Sequence, residues 1–141
     1  MPTSRAGHND AQQAARLNWF GGSAYPAAPT NTYLGLYAGK MPLSDGSGGT
    51  EVSPATRPAI TFGAVAVDAN GRHYMANNAV NGITLTNASA AEIIGFGIFS
   101  ANSGGTPIYY DRLPGAFQAA AGGTVSIPAG AIRVYAEPPT I

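Results

Sequence analysis

The side chains best suited to catalysis or binding in this 141-residue chain are two histidines, seven carboxylates and seven tyrosines. His8 and His73 lie far apart in the chain. Neither has a second histidine at the short spacing by which one helix or turn offers two ligands to a zinc ion. There is no cysteine, so thiolate metal sites and disulfides are excluded. Glu51, Glu92 and Asp111 are the carboxylates nearest the predicted strands. Glycoside hydrolysis needs two carboxyl groups about 5–9 Å apart, and seven scattered carboxylates single out no such pair. Asp111 beside Arg112 reads equally well as a surface ion pair. Gly35-x-x-x-Gly39-Lys40 is one residue short of a phosphate loop, and Met41 stands where Ser or Thr must hold magnesium. No Gly-x-Ser-x-Gly elbow exists to expose a serine nucleophile. The expectation is a protein that is not an enzyme and needs no cofactor and no metal.

The tyrosines are the remaining lead. Tyr33, Tyr37, Tyr109, Tyr110 and Tyr135 all fall on predicted strands. Exposed tyrosines suit protein interfaces and sugar stacking, since each presents an apolar ring with a polar tip. Buried ones simply cover the faces of a sheet. Both readings stand at this point.

The elements that must position these residues are short. Asp10 caps a predicted helix, with Gln13 completing a capping box, and Gly21-Gly22 ends it. Ala11, Ala15 and Trp19 share one stripe, with Leu17 and Phe20 beside its end. Ten or so residues do not hold a helix in water unaided, so this one is expected to dock on its own sheet or on a neighbouring subunit. Residues 21–30, with Pro26 and Pro29, read as an extended linker. From Thr32 to Tyr37 the pattern has period two, with Leu34 and Leu36 on one face. Residues 40–58 form a long Gly/Pro loop of the length that is usually functional or disordered. Ala59–Val67, a short return over Arg72–Ala76 after Asn70-Gly71, and Ile83–Thr86 after an Asn81-Gly82 hairpin signal follow. In Glu92–Ser100, Ile94, Phe96 and Ile98 are expected on one face, with Ile93, Gly95, Gly97 and Phe99 on the other. Pro107–Arg112, Thr124–Ile127 and Ala131–Ala136 complete about eight short strands; Ala116–Ala121 fits either helix or strand. With 19 glycines and 11 prolines, the chain is predicted to be mostly β. The expected fold is an antiparallel β-sandwich or jelly roll with one short N-terminal helix. Residues 1–30 form an arm, with its helix and Pro-containing linker, and residues 31–141 the sandwich.

Composition narrows the partners. Charged residues are 10% of the chain and the formal net charge is zero, against about 25% charged in an average soluble protein. A chain without a basic stripe is not a general nucleic-acid binder, nor does it suit an anionic membrane. Sparse, balanced charge favours association with other proteins. The first ten residues lack the apolar core of an export signal, and the longest apolar run, Ile93–Phe99, is far short of a membrane span. Synthesis in a cytoplasm without export is expected. The sequon Asn87-Ala88-Ser89 then has no glycan to receive.

The order of these pieces resembles a family of small phage virion proteins. The resemblance is carried by Leu17-Asn18-Trp19-Phe20 in the opening helix and Leu34-Gly35-Leu36-Tyr37 in the first long strand. It continues with Gly48-Gly49-Thr50-Glu51-Val52-Ser53, then Phe96–Phe99, then Ile127-Pro128-Ala129-Gly130. It covers almost the whole chain. The family commonly continues Glu-Val-Ser into Gly-Gly-Tyr-Ala-Arg; here Pro54-Ala55-Thr56-Arg57-Pro58 stands instead, and only Arg57 corresponds. Members are often labelled tail-fibre-like, and similar small β-sandwich proteins serve as capsid cement.

The resemblance implies a β-sandwich decoration protein on the capsid surface, assembled as a homotrimer in the host cytoplasm and bound to the major capsid protein. The alternative it allows is a tail-fibre or tail-tip module that binds a host surface receptor, glycan or protein. The candidate interface residues are Leu17, Trp19, Phe20, Tyr33, Tyr37, Arg57, Tyr109 and Tyr135, with residues 1–30 as an arm and the 40–58 loop as a contact.

Overall fold

The computed structural model describes residues 7–52, 54, 56–85, 91–119 and 122–136. The sequon, Ala120, Ala121 and Thr86 lie outside them, as do residues 1–6 of the predicted arm. The elements run β1 (Gly7–His8), α1 (Asp10–Phe20), β2 (Tyr33–Ala38), β3 (Ala66–Val67), β4 (His73–Ala76), β5 (Val80–Thr84), β6 (Ala91–Phe99), β7 (Tyr109–Ala119), β8 (Thr124–Ile127) and β9 (Arg133–Tyr135). The fold is mostly β with one short helix, as composition predicts. Every strand pair is antiparallel. β1-β7-β6-β2, β3-β4-β9 and β5-β8 form sheets of four, three and two strands. Their apolar faces meet in one core that includes Leu34, Leu36, Ile60, Val80, Ile83, Ile93, Phe96, Ile98, Ile127 and Ile132.

The helix starts one residue earlier than its sequence suggests. Asn9, not Asp10, is the cap, and its Oδ1 accepts from the Gln12 N–H at 2.9 Å. Gln13 turns back to donate from Nε2 to the His8 carbonyl at 2.9 Å. At the other end Gly22 takes φ +94°, and Gly22 N–H and Ser23 N–H bond the Trp19 and Asn18 carbonyls. This paired C-terminal closure requires a left-handed residue, which glycine supplies without steric cost.

Three strand expectations change. Ile94 is a bulge: Tyr37 pairs with Gly95 but Ala38 pairs with Ile93. The slip turns Ile93 inward beside Phe96 and Ile98 and leaves Ile94 only partly covered. The Asn81-Gly82 pair sits inside β5 at a register shift, not at a hairpin turn. Of Ala59–Val67 only Ala66–Val67 is regular strand, with bridges at Ala59 and Phe62. Ala116–Ala119 resolve as the end of β7.

The long 40–58 loop has a structural task. Val52 N–H bonds the Leu36 carbonyl, Leu34 N–H the Pro58 carbonyl and Ile60 N–H the Thr32 carbonyl. The segment after Thr50 therefore runs along the outer side of β2, which is the edge of the four-stranded sheet. An edge strand covered in this way offers no template for pairing with other chains.

Candidate functional site

The root of α1 is fixed and its tip is bare. Asn9 Nδ2 donates to the Pro107 carbonyl at 2.9 Å, Asp10 N–H to the Ser44 carbonyl at 2.8 Å, and Ser44 Oγ to Asp10 Oδ2 at 3.0 Å. These bonds hold the first turn against the chain. None of the helix residues is buried. Leu17, Trp19 and Phe20 are 71%, 55% and 75% exposed, and Tyr25 beyond the helix is exposed too. Trp19 and Phe20 meet edge to face at 5.1 Å. The three apolar side chains gathered at one helix end form a surface cluster of the kind that marks an interaction site.

Arg57 lies elsewhere and works inward. It is only 6% exposed. Its Nε and Nη2 reach Glu51 Oε2 and Oε1 at 2.6 and 2.9 Å, and its Nη1 donates to the Ala101 and Gly104 carbonyls at 3.0 and 2.8 Å. The guanidinium carbon sits 3.5 Å from the centre of the Phe99 ring. Glu51 in turn bridges Tyr37 of β2. Gly35 makes room for this layer: a Cβ there would come within 2.5 Å of Phe99 Cε1 and 2.9 Å of Glu51 Oε2. The glycine of the Gly35…Lys40 motif thus serves packing. The carboxylate is the partner of Arg57, which binds the loop to β2 and to the 100–105 turn.

The strand tyrosines divide by location. Tyr37, Tyr109 and Tyr110 are buried, so of the two readings open for the strand tyrosines these three take the one in which rings cover the faces of a sheet. Burial, followed by the nearby Glu51 charge, raises the Tyr37 phenol well above its ordinary value, while Arg57 acts the other way. Burial pushes Tyr109 up to about 12, against the bond that its hydroxyl accepts from Tyr135 N–H at 3.2 Å. Tyr33 and Tyr135 are half-buried. His8 joins β7 and β9: its Nε2–H donates to the Tyr135 carbonyl at 3.1 Å, and its ring meets Tyr109 edge to face at 5.1 Å. The predicted interface residues therefore fall in three places: the helix tip, the Arg57 clamp with Tyr37 and with Tyr33 opposite Phe99, and the Tyr109–Tyr135 junction.

The carboxylates considered for catalysis are spread over the sheet. Glu92 lies opposite Gln118 and Asp111 opposite Phe96. Four residues along β6 therefore separate these two positions, about 13 Å at the strand rise, wider than the spacing hydrolysis uses. His8 and His73 line one mostly apolar cavity of about 240 Å³ with Arg16 and Val134. Among the described residues no three His, Asp or Glu side chains gather as a metal site.

One cluster has a signal that single-residue reading misses. Arg72-x-Tyr74, which leads into β4, and Arg133-x-Tyr135 on β9 repeat the same two-residue spacing. Tyr74 is paired directly with Tyr135, so the period of two puts all four residues on one face. Arg72 lies 3.9 Å over the Tyr135 ring and Arg133 4.3 Å over the Tyr74 ring. The two rings are 5.8 Å apart.

The family model described as Podophage GP4 fiber I protein gp80 matches residues 7–135. No curated protein matches the chain.

Proposed function

The chain belongs to the podophage GP4 fiber I protein family, and is thus a phage virion protein; we propose that it is a fiber subunit, docked on another virion subunit through the tip of α1. The observation that carries this reading is the exposed Leu17–Trp19–Phe20 cluster at the end of a helix whose root is tied down. A neutral chain with few charges gains little from leaving three large apolar side chains in water. Burying them against a neighbour removes that cost at about 25 cal/mol per Å² of apolar surface. The family description favours a fiber over the capsid surface. Host attachment and trimeric assembly are the finer parts of the proposal.

The capsid-cement reading uses the same tip against the major capsid protein, and copy number separates the two. Quantitative mass spectrometry of purified virions is expected to find a small number of copies, in threes or sixes, relative to the major capsid protein. Hundreds of copies, in a simple ratio to that protein, would place the chain on the shell and overturn the fiber reading.

A further inference from the structure

The Arg-x-Tyr face adjoins a small open cavity of about 110 Å³ whose wall includes Phe96, Asp111, Arg112, Arg133 and Tyr135. In a chain with only 14 charged Lys, Arg, Asp and Glu residues, two arginines and an aspartate share this one wall, and Arg72 stacks on its tyrosine. Neither Arg112 nor Arg133 has a described carboxylate within 4 Å; the ion pair of the described residues is Glu51–Arg57. Arg133 nevertheless has a neighbour, its guanidinium lying 4.3 Å over the centre of the Tyr74 ring. Buried Arg72 Nη2 has no hydrogen-bond partner among the described residues, and the Arg72 charge acts on Asp111 in the same wall.

We propose that this cavity binds an acidic sugar, a hexose ring carrying a carboxylate, with Arg112 and Arg133 taking the carboxylate and Asp111 accepting from ring hydroxyls. Guanidinium forks match carboxylates in two-pronged geometry, which selects the acidic group. Asp111 favours the sugar over a bare anion, because its carboxylate repels either anion and only the sugar offers ring hydroxyl hydrogens for it to accept. Burial holds Asp111 above its ordinary value, against the Arg112 N–H bond and the Arg72 and Arg112 charges. Tyr135, half-buried in the same wall, supplies the apolar surface that a sugar face covers. The volume is well above what one water needs and well below the roughly 300 Å³ at which drug-sized pockets start. That is room for one sugar residue at the end or side of a chain. The inference goes beyond the docking of α1 and does not rest on it, since the cavity and the helix tip are separate sites.

The test is a titration of the isotopically labelled full chain with glucuronic acid, glucose and inorganic phosphate in turn, followed by NMR. Glucuronic acid is expected to shift the amides of residues 111–112 and 133–135 saturably, with glucose and phosphate at least tenfold weaker. Arg133→Gln and Arg112→Gln, both at exposed positions, are each expected to weaken the glucuronic acid response at least tenfold while the rest of the spectrum stays unchanged. No saturable shift at these residues, an equal response to glucose, or an equal response to phosphate would overturn the assignment. Survival of full binding in both variants would do the same.

Discussion

Arg57 grips Glu51 with two parallel hydrogen bonds, Nε to Oε2 at 2.6 Å and Nη2 to Oε1 at 2.9 Å, while lying flat on Phe99. The pair joins the long loop to the edge strand and to the 100–105 turn. Arg57 is buried while Glu51 is partly open to water, so removing the carboxylate strands a buried charge, which costs more than removing both partners. Glu51→Met is expected to destabilise the chain by about 3 kcal/mol in urea denaturation. Adding Arg57→Met is expected to recover part of that loss. A double variant no more stable than Glu51→Met alone would show that the charge pair is not the reason.

Gly35 and Phe99 test the same layer by shape. Because a Cβ at residue 35 meets the Phe99 ring and the Glu51 carboxylate, Gly35→Ala is expected to cost about 2 kcal/mol. Gly39→Ala, where nothing stands within 4 Å but φ is +74°, loses stability through backbone strain alone, by about 1 kcal/mol. Denaturation midpoints with the order reversed would reject the packing argument.

Asn9 both caps α1 and ties it to residue 107. Asn9→Ala is expected to cost about 1–2 kcal/mol. The loss should be concentrated in the helix, with hydrogen exchange of residues 12–20 accelerating while β6 stays protected. Uniform acceleration through the sheet would contradict a local role.

His8 makes stability depend on pH. Burial, then the Arg16 charge, hold it below its ordinary value of 6.5, and the bond to the Tyr135 carbonyl offsets part of this. The unfolded chain therefore binds the proton more readily. The stability contributed by neutral His8 is complete above 6.5 and is lost as pH falls through the folded-state value. Asp111, raised from its ordinary 3.8, works in the opposite sense nearer the carboxylate range. Urea midpoints are expected to fall from pH 7 to pH 5, and His8→Gln, which keeps a donor for Tyr135, to flatten that fall. The same slope in both proteins would remove His8 as the cause.

Trp19 and Phe20 contact each other and solvent. Replacing both by serine is expected to change the stability of the isolated chain by no more than about 0.5 kcal/mol per site. Incorporation into virions, read by mass spectrometry, is expected to fall at least tenfold. Normal incorporation would show that the tip is not the docking surface.

What the residues determined unaided is local. Gly and Pro content with period-two alternation predicted short antiparallel strands. Residues 10–20 and Gly21-Gly22 marked the helix and its end, and Asn70-Gly71 the β3–β4 turn, where Asp68 Oδ1 accepts from Asn70 and Arg72 N–H. Each of these rests on backbone preferences and on bonds closed within a few residues. Tertiary structure decided the rest. Alternation put Ile94 on one face with Phe96 and Ile98, but the bulge opposite β2 turned Ile93 inward beside them instead. Glu51 read as a carboxylate near a strand and Arg57 as an interface residue until the loop lay along β2 and paired them. Tyr37 and Tyr109 carried the same pattern as Tyr135, and only the meeting of the sheets buried the first two. The two Arg-x-Tyr pairs are far apart in the chain and face one another because β4 and β9 pair. Register and burial arise from contacts between distant segments, whose geometry no short window of residues contains.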